Sequence, residues 1–567
     1  MNWGKVSAPW EGRSPMRLLA LGLVASLTFA GAALLSLEGQ QKIASPKLIL
    51  VLSIDQMRFD YLTRLNRLYK GGLRRLLDQG AVFSKAQLRH GITDTGPGHA
   101  VILSGRHPSH SGMVSDTWYD PVQKRVAFLV EDPKQKALGG QGGAYSPVHL
   151  LGTTLGDALK EHSPQSHVVG VSLRERGAIL MAGRRGDAAY WYEPANGELV
   201  TSSYYMKEAP AWLGQFNQKR VPDSYAGQKW TRLLSDERLY DKYAGRDAVE
   251  GEWDRREIRF PHAIRGKPPE SRFYDDLRRT PFGDELIMEA ALEALKAHQL
   301  GTDDATDILA IALASTDIIG HTYGADSQEL MDQLLRLDIT LQKLFDEIDR
   351  RVGLTNTYVV LTSNHGVMPL VEVLQAKEFD SHRASPADLR AAADDALRAR
   401  FPDKHDLIAH YDPPNFYLDE TALSRYQLPL ETVESTLIAG LKSSNLVEAV
   451  YTRAQLTSQK QSSDPYLNLY RNSFHPVRSP HLLVRLKQYI YLNDRVGGTG
   501  HGSPYDYDRH VPIIFMGVGI KPGKYSSPCG PEDIAPTLAR LLGIEYPLEP
   551  DSRLLLEMFV SKKPLRH

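Results

Sequence analysis

The 567-residue sequence has a single cysteine, Cys529. It therefore cannot form an intramolecular disulfide bond or a cluster of thiolate metal ligands. It also lacks an excess of charge of either sign, because 67 Lys and Arg residues stand against 68 Asp and Glu residues. Nucleic-acid-binding proteins usually carry a basic excess, so no nucleic-acid partner is expected. Any bound metal must be held by histidine, aspartate, glutamate or asparagine.

The N-terminus holds a long uncharged stretch from Leu18 to Leu37, preceded by Lys5, Arg13 and Arg17. Basic residues, an apolar segment and small residues near its end form a secretory-signal pattern. About 20 apolar residues can also span a bilayer. We therefore expect residues 1–40 to be a cleaved signal peptide, which we favour, or an uncleaved anchor. The rest of the chain is expected in the periplasm or outside the cell, with a membrane partner only if the segment is uncleaved.

Four nearly continuous apolar runs indicate strands that are buried on both faces. They are KLILVLSID, DILAIALASTD, TNTYVVLTSNHG and RHVPIIFMG. Helical patterns separate them, including DELIMEAALEALKAH and SQELMDQLLRLDITLQKLFDEIDRRV, and EDIAPTLARLLGI follows them. Strands that alternate with helices predict an α/β fold, with a mostly parallel central sheet and helices on both faces.

Two regions interrupt this alternation and are predicted to be insertions that form a cap over the sheet edge. The first, at about 175–281, is rich in Tyr, Trp, Arg and Pro. The second, at 376–487, includes ADLRAAADDALRARF. We therefore predict a catalytic core at 45–375 and 488–560, with the first insertion inside it and the second as a cap subdomain. A monomer is favoured.

Polar residues follow the apolar runs. In open α/β sheets, ligands bind beyond the carboxyl ends of the strands, so these residues are expected to meet. Their oxygen and imidazole nitrogen atoms suit zinc, and two metals sharing them could stabilise both the attacking and the leaving oxygen of a phosphoryl displacement. The candidate metal ligands are Asp55, Thr95, Asp317, His321, Asn364, His365 and His501.

The stretch HGITDTGPGHAVILSG holds two candidate nucleophiles, Thr93 and Thr95. A threonine hydroxyl is a weak nucleophile, but coordination to a dication lowers the pKa of such an oxygen, as it does for bound water. Asp94 between them is expected to shape the turn rather than to act as a base. Other histidines in this region are expected to be structural, namely His99, His107 and His110.

The motifs resemble those of the alkaline phosphatase superfamily. They are SIDQMRFDYL, TGPGHAVILSG, STDIIGHTYG, LTSNHGV and GGTGHGSPYDYDRHVPIIFMG, in consistent order from about Lys47 to Leu542. Within the superfamily they are most similar to the phosphate-irrepressible, single-chain periplasmic alkaline phosphatases, which are related to nucleotide pyrophosphatase/phosphodiesterases. The resemblance implies two zinc ions and a covalent phosphothreonine. It assigns Asp317, His321 and His501 to one zinc, Asp55, Asn364 and His365 to the other, and Thr95, not Thr93, to the nucleophile.

Three positions depart from the family pattern. Asn364 replaces an aspartate, and its amide can ligate but carries no charge, so metal affinity there should fall. Asp116, in GMVSDTWYD, replaces an asparagine that contacts the phosphoryl group, and a carboxylate would repel phosphate unless protonated or bound to metal or arginine. Arg174 and Arg176, in VSLRERGAIL, stand where Lys-x-Arg is usual, and arginine keeps the charge in a forked geometry.

One carboxylate is lost at position 364 and one is gained at position 116, so the formal charge of the pocket is unchanged. We hypothesise that Asp116 offsets Asn364, by approaching the second metal. The predicted catalytic positions are thus Thr95, Arg174, Arg176 and Asp116.

The leading functional prediction is a phosphate monoester hydrolase acting on small-molecule phosphate esters. Arg174 and Arg176 would bind the non-bridging oxygens, and two arginines favour a monoester dianion. A phosphodiesterase or nucleotide pyrophosphatase needs less positive charge and could tolerate Asp116. A sulfatase is disfavoured, because TGPGH lacks the convertible Cys or Ser and the arginine of that signature. A non-catalytic binding protein on the same fold is the alternative from another class.

Overall fold

The structure is a computed structural model that describes residues 45–253, 257–494 and 496–559. The predicted signal or anchor at residues 1–40 lies outside the described residues. All elements below belong to the unit that begins at Pro46. None of the described helices combines the length and the apolar composition that a membrane crossing requires.

The strands, in chain order, are β1 (Leu48–Ile54), β2 (Ala81–Phe83), β3 (Thr117–Asp120), β4 (Arg125–Phe128), β5 (Ala137–Leu138), β6 (Val168–Ser172), β7 (Ala188–Glu193), β8 (Glu198–Ser202), β9 (Lys229–Trp230), β10 (His262–Ala263), β11 (Asp307–Leu313), β12 (Thr357–Thr362), β13 (His382–Ala384), β14 (Ile408–Asp412), β15 (Asn415–Leu418), β16 (Val447–Thr452), β17 (Leu482–Leu486), β18 (Ile490–Leu492), β19 (Ile513–Met516) and β20 (Gly523–Tyr525).

The α-helices are α1 (Asp60–Arg64), α2 (Gly72–Gln79), α3 (Thr95–Ser104), α4 (Pro108–Ser111), α5 (Leu155–His162), α6 (Glu175–Ala182), α7 (Ala211–Gln218), α8 (Glu237–Ala244), α9 (Ser271–Leu277), α10 (Pro281–Ala297), α11 (Ser315–Tyr323), α12 (Gln328–Arg351), α13 (Val371–Ala376), α14 (Pro386–Arg400), α15 (Glu420–Arg425), α16 (Leu430–Ser443), α17 (Arg453–Thr457), α18 (Leu467–Ser473), α19 (Asp506–Arg509) and α20 (Ile534–Leu542).

Ten strands form one large sheet in the order β20-β2-β19-β12-β1-β11-β6-β7-β8-β5. The five strands from β12 to β7 pair in parallel. On either side the pairing changes, because β19 is antiparallel to β12 and β8 is antiparallel to β7. The sheet is therefore mixed around a parallel centre, and the prediction of a mostly parallel central sheet is confirmed.

Helices cover both faces of the sheet, and alternate residues of β1 show how. Leu48, Leu50 and Leu52 belong to a core that also contains residues of α10 and α12. Ile49 and Val51 point to the other face, in a core with residues of α3, α5 and α20. Side chains of a strand alternate between the two faces, so a strand buried on both is nearly all apolar, as β1 is apart from Ser53.

A second, four-stranded sheet in the order β14-β15-β17-β16 has antiparallel pairing and its own apolar core. Helices α14 and α16 contribute Leu389 and Leu437 to that core. These elements occupy most of the range predicted as a cap. In the range predicted as the first insertion, β7 and β8 instead extend the large sheet. The domain boundaries stay a prediction.

Candidate active site

The parallel centre of the sheet brings the predicted site residues to one edge. Strands β12, β1, β11 and β6 are neighbours, in that order. Because parallel strands end at the same edge, the residues that follow them lie side by side. Along this edge the order is Asn364 and His365 after β12, Asp55 after β1, Asp317 after β11, and Arg174 with Arg176 after β6.

Asp317, His321 and His501 form what we call the first cluster, and their ligating atoms lie within 4.8 Å of one another. Asp317 is in the first turn of α11, not at the strand end itself, and His321 follows it by one helical turn on the same face. Their closest atoms are 3.2 Å apart, and His501 Nε2 lies 3.7 Å from Asp317 Oδ1. This donor set and spacing fit a divalent metal.

Hydrogen bonds to the backbone orient the histidine rings. The Nδ1 atom of His321 lies 2.7 Å from the Thr499 carbonyl oxygen, and that of His501 lies 2.8 Å from the Thr93 oxygen. His365 Nδ1 has the same relation to the Gly366 oxygen, at 2.9 Å. Carbonyl oxygens only accept, so Nδ1 donates in each ring, and Nε2 is the atom that can bind a metal when the ring is neutral.

Charge differs among these side chains. Burial lowers the pKa of His501 to about 4 and that of His365 well below its ordinary value, so both rings are neutral at pH 7 and can ligate. Burial opposes ionisation of Asp317 too, but the positive charges of His321 and Arg174 outweigh it and hold its pKa well below the usual range. Asp317 is thus a buried carboxylate with strong cationic support.

Thr95 is the first residue of α3 and is almost fully buried. Its Oγ1 lies 3.3 Å from His365 Nε2, so the hydroxyl faces the candidate metal ligands. Two glycines permit this position. A Cβ at Gly98 would lie 2.1 Å from the Asn364 carbonyl oxygen, and one at Gly96 would lie 2.5 Å from Leu129 Cδ1. The TGPGH sequence is therefore needed for the close approach of α3 to the strand ends.

Asp55, Asn364 and His365 form what we call the second cluster, and all three are buried. Asp55 Oδ1 lies 3.0 Å from His99 Nε2, yet neither atom has a hydrogen-bond partner among the described residues. The Asn364 amide makes two contacts of 3.3 Å, from Gln56 N to its Oδ1 and between its Nδ2 and His99 Nδ1. Buried ligating atoms without partners fit a metal here as well.

Asp116 lies next to Thr95, the candidate nucleophile. Its Oδ1 accepts a 2.6 Å hydrogen bond from Gly96 N, the amide that follows Thr95. Its Oδ2 lies 3.2 Å from Arg176 Nε, and Arg176 also pairs with Glu175 at 3.0 Å. The carboxylate thus occupies an amide and a guanidinium that could otherwise bind phosphoryl oxygens.

Arg174 has a different partner from the one expected for a phosphate-binding residue. Its Nη2 lies 2.8 Å from Asp317 Oδ2, a member of the first cluster. The two arginines of the Arg174-Glu175-Arg176 segment therefore point to different carboxylates: Arg174 to Asp317 and Arg176 to Asp116.

Sequence reasoning missed three positioning contacts. His99 was expected to be structural, but its ring lies against Asp55, and its four-residue spacing from Thr95 on α3 was the available signal. Gln56 Nε2 donates to Asp317 Oδ1 at 2.8 Å, which ties the two clusters together. Thr93 accepts at Oγ1 from Gly502 N at 3.1 Å, so it fixes the loop that carries His501.

Comparisons with known proteins agree with this geometry. The family model described as type I phosphodiesterase / nucleotide pyrophosphatase matches residues 49–502. Alkaline phosphatase PafA from Elizabethkingia meningoseptica is 32% identical over 522 residues, which cover 90% of this chain and 94% of the relative. Alkaline phosphatase PhoV from Synechococcus elongatus is 32% identical over 515 residues, covering 89% and 92%.

The crystal structure of PafA superimposes with a TM-score of 0.85 at 31% identity, covering 91% of this chain and 100% of that one. The fold, the site and these relatives define the protein as a phosphoric ester hydrolase. More particularly, the chain belongs to the type I phosphodiesterase / nucleotide pyrophosphatase family.

Proposed function

We propose that the protein hydrolyses phosphate monoesters through a covalent phosphothreonine on Thr95, at a centre that holds two zinc ions. The observation that carries the proposal is the placement of Thr95 Oγ1, buried at the start of α3 and 3.3 Å from His365 Nε2. This buried hydroxyl faces an imidazole nitrogen, which is one of the donor atoms that zinc prefers.

The residues of this chain fit two metal sites. The first cluster supplies one carboxylate and two imidazoles with Nε2 directed inward, and the second supplies a carboxylate, an amide and an imidazole. When bound, the metals would lower the pKa of the Thr95 hydroxyl and of water and neutralise charge on the leaving oxygen. The second site is expected to bind more weakly, because the Asn364 amide is neutral.

Thr95 Oγ1 loses its proton to solvent and forms a bond to phosphorus while the bond to the leaving oxygen breaks, and that oxygen takes a proton from water. Water next attacks the phosphothreonine, which releases phosphate and restores the Thr95 hydroxyl. Arg176 and the Gly96 amide can bind the non-bridging oxygens only in competition with Asp116, which holds both. Arg174 is paired with Asp317 instead.

A phosphodiesterase is the second candidate, and Asp116 is the observation that favours it. A monoester dianion carries more negative charge than a diester, so it loses more from a carboxylate placed on Gly96 N and Arg176. The two candidates thus differ in how strongly Asp116 opposes them.

Thr95→Ala tests the mechanism that both candidates share. We expect kcat/KM on p-nitrophenyl phosphate to fall about a thousandfold or more, because the metals alone cannot supply the covalent step. Parallel assays on bis-p-nitrophenyl phosphate rank monoester against diester. A Thr95→Ala enzyme as active as the parent would refute the nucleophile, and a parent faster on the diester would favour the second candidate. Phosphate trapped on Thr95 by acid quench, seen by mass spectrometry, would identify the intermediate.

A further inference from the structure

A cavity of about 370 Å³ opens beside the first cluster. His321 and His501 line one side of it, together with Arg174. We call it the leaving-group cavity, and its remaining wall includes Trp253, Arg278, Arg279, Tyr491 and Asn493. The cavity therefore begins at the candidate metal ligands and extends away from them.

The position of this cavity relative to Thr95 decides what it can bind. Thr95 lies against His365 of the second cluster, at 3.3 Å. In phosphoryl transfer the attacking and leaving oxygens are roughly in line across phosphorus. An ester attacked from the second-cluster side must therefore direct its leaving group toward the first cluster, where the cavity opens.

The remaining wall of the leaving-group cavity is cationic. Arg278 Nε lies 2.8 Å from Asp275 Oδ1, and Arg279 Nη2 lies 3.1 Å from Asp275 Oδ2, so two guanidinium groups share one carboxylate. Arg174 is already paired with Asp317. Burial lowers the pKa of Arg278, contact with Asp275 opposes this effect, and the nearby charges of Arg174 and Arg279 add to it.

Arg279 is the most accessible of these charges. Its side chain is 30% exposed, against 23% for Arg278 and 16% for Arg174. It also lines a second cavity, of about 360 Å³, which shares Arg279 and Trp253 with the first. A guanidinium at the junction of two cavities can reach a group held in the leaving-group cavity without leaving Asp275.

We propose that the leaving-group cavity selects phosphate esters and anhydrides whose leaving group carries a second negative charge, and that Arg279 binds that charge. The inference rests on the phosphoryl transfer to Thr95 proposed above. The second anion takes no part in bond making or breaking: it stays on the leaving group, which departs with the bridging oxygen and gains a proton from water. The second anion instead strengthens substrate binding and orients the leaving group.

A pair of matched substrates tests this selection: 4-carboxyphenyl phosphate and its neutral analogue, 4-carbamoylphenyl phosphate. For the zinc-loaded parent we expect kcat/KM to be about tenfold higher on the carboxylate, as one partly buried charge-assisted hydrogen bond provides. Arg279→Gln should abolish that preference by lowering kcat/KM on the carboxylate about tenfold more than on the neutral substrate, and circular dichroism checks that the variant folds. Arg279→Lys should restore part of it. Inorganic pyrophosphate, assayed beside them, shows whether a phosphate serves as well as a carboxylate.

Arg272→Gln is the matched control, because it removes the same charge from α9, the helix that directly precedes Arg279. Arg272 is exposed and lines only the second cavity. It should keep the preference of the parent. Equal rates of the parent on both substrates, or an equal loss in Arg272→Gln, would overturn the inference. Failure of the parent on both aryl phosphates would instead refute the proposed phosphomonoesterase function, so the two failures are distinguishable.

Discussion

The two clusters of the site lie side by side, but they are held in different ways. In the first, Asp317 contacts Arg174 and Gln56 at 2.8 Å each and His321 at 3.2 Å. In the second, the contacts of the Asn364 amide are longer, at 3.3–3.5 Å. A carboxylate surrounded by cations and donors is a fixed anchor, whereas a neutral amide with long contacts is not. We therefore predict that metal binding depends mainly on the first cluster and that, under the proposed mechanism, the reactivity of Thr95 depends on the weaker second one.

The largest expected effect separates the two clusters directly. We expect Asp317→Ala to lower kcat/KM on p-nitrophenyl phosphate about a thousandfold and to remove at least one bound metal per chain, because it deletes the charged member of the first cluster. Asn364→Ala should cost about tenfold, since the lost ligand is neutral. Activity and metal content by inductively coupled plasma mass spectrometry, before and after chelation, check both. Equal losses in the two variants would break the comparison.

Substitution of Asp116 is expected to have the next largest effect, and it should raise activity. We expect Asp116→Asn to raise kcat/KM on the monoester about tenfold, because the amide cannot repel a dianion as the carboxylate does on Gly96 N and Arg176. The diester should gain less. Glu175→Gln is the control: it removes the other carboxylate on Arg176 but leaves Gly96 N alone. A gain in the control equal to that in Asp116→Asn would mean that net charge, not position, is responsible.

Much of this architecture was predictable from the sequence. Runs such as LILVLSI must be buried on both faces, and that burial predicts parallel strands with polar residues at their ends. The direction of β19 (Ile513–Met516) could not be predicted, because an apolar run has the same pattern in parallel and antiparallel pairing. This strand is antiparallel to β12.

Long-range contacts of the site were equally beyond the sequence. His99 and Asp55 are 44 positions apart and meet only because the fold brings α3 to the strand ends, where glycine at position 98 allows close contact with Asn364. The sequence allowed an arginine as a partner of Asp116, but it identified neither Arg176 as that arginine nor Gly96 N as the second donor. Charge could be counted from the sequence, but the pairing of charges requires the fold.

A double substitution tests whether the losses and gains at positions 364 and 116 are linked. Asn364→Asp alone should harm activity or raise it less than about threefold, since a second carboxylate then stands near the nucleophile with Asp116 still in place. Asn364→Asp combined with Asp116→Asn should exceed the sum of the single effects on ΔG‡ and give a conventional site. Full activity from Asn364→Asp alone, in the same monoester assay, would refute the offset.

The smallest expected effect is on stability. It concerns Asp284, a buried carboxyl that contacts the start of α11, the helix that carries Asp317 and His321. Asp284 is buried beneath α11, where Ser315 N and Gln333 Nε2 donate to its oxygens at 3.0 and 2.7 Å, and both donors are neutral. Burial raises the pKa of this carboxyl to about 7, despite those hydrogen bonds. Unlike Asp317, it is a buried acid without a cation in contact among the described residues.

Because the folded-state pKa of Asp284 lies above its unfolded value, the unfolded chain ionises first as pH rises. Stability is therefore lost progressively from about pH 4 to pH 7 and stays low above it. Asp284→Asn abolishes this pH dependence, because an amide does not ionise. The Oε1 atom of Gln333, which has no partner among the described residues, can accept a hydrogen bond from the new Asn amide if the Gln333 side-chain amide rotates. We expect the unfolding free energy of the variant, relative to the parent, to rise by about 1–3 kcal/mol between pH 4 and pH 8. Thermal midpoints at both pH values measure it, with the exposed Glu289→Gln on the same helix as control. If the difference in unfolding free energy between variant and parent does not change with pH, Asp284 is charged in the folded protein, as Asp317 is.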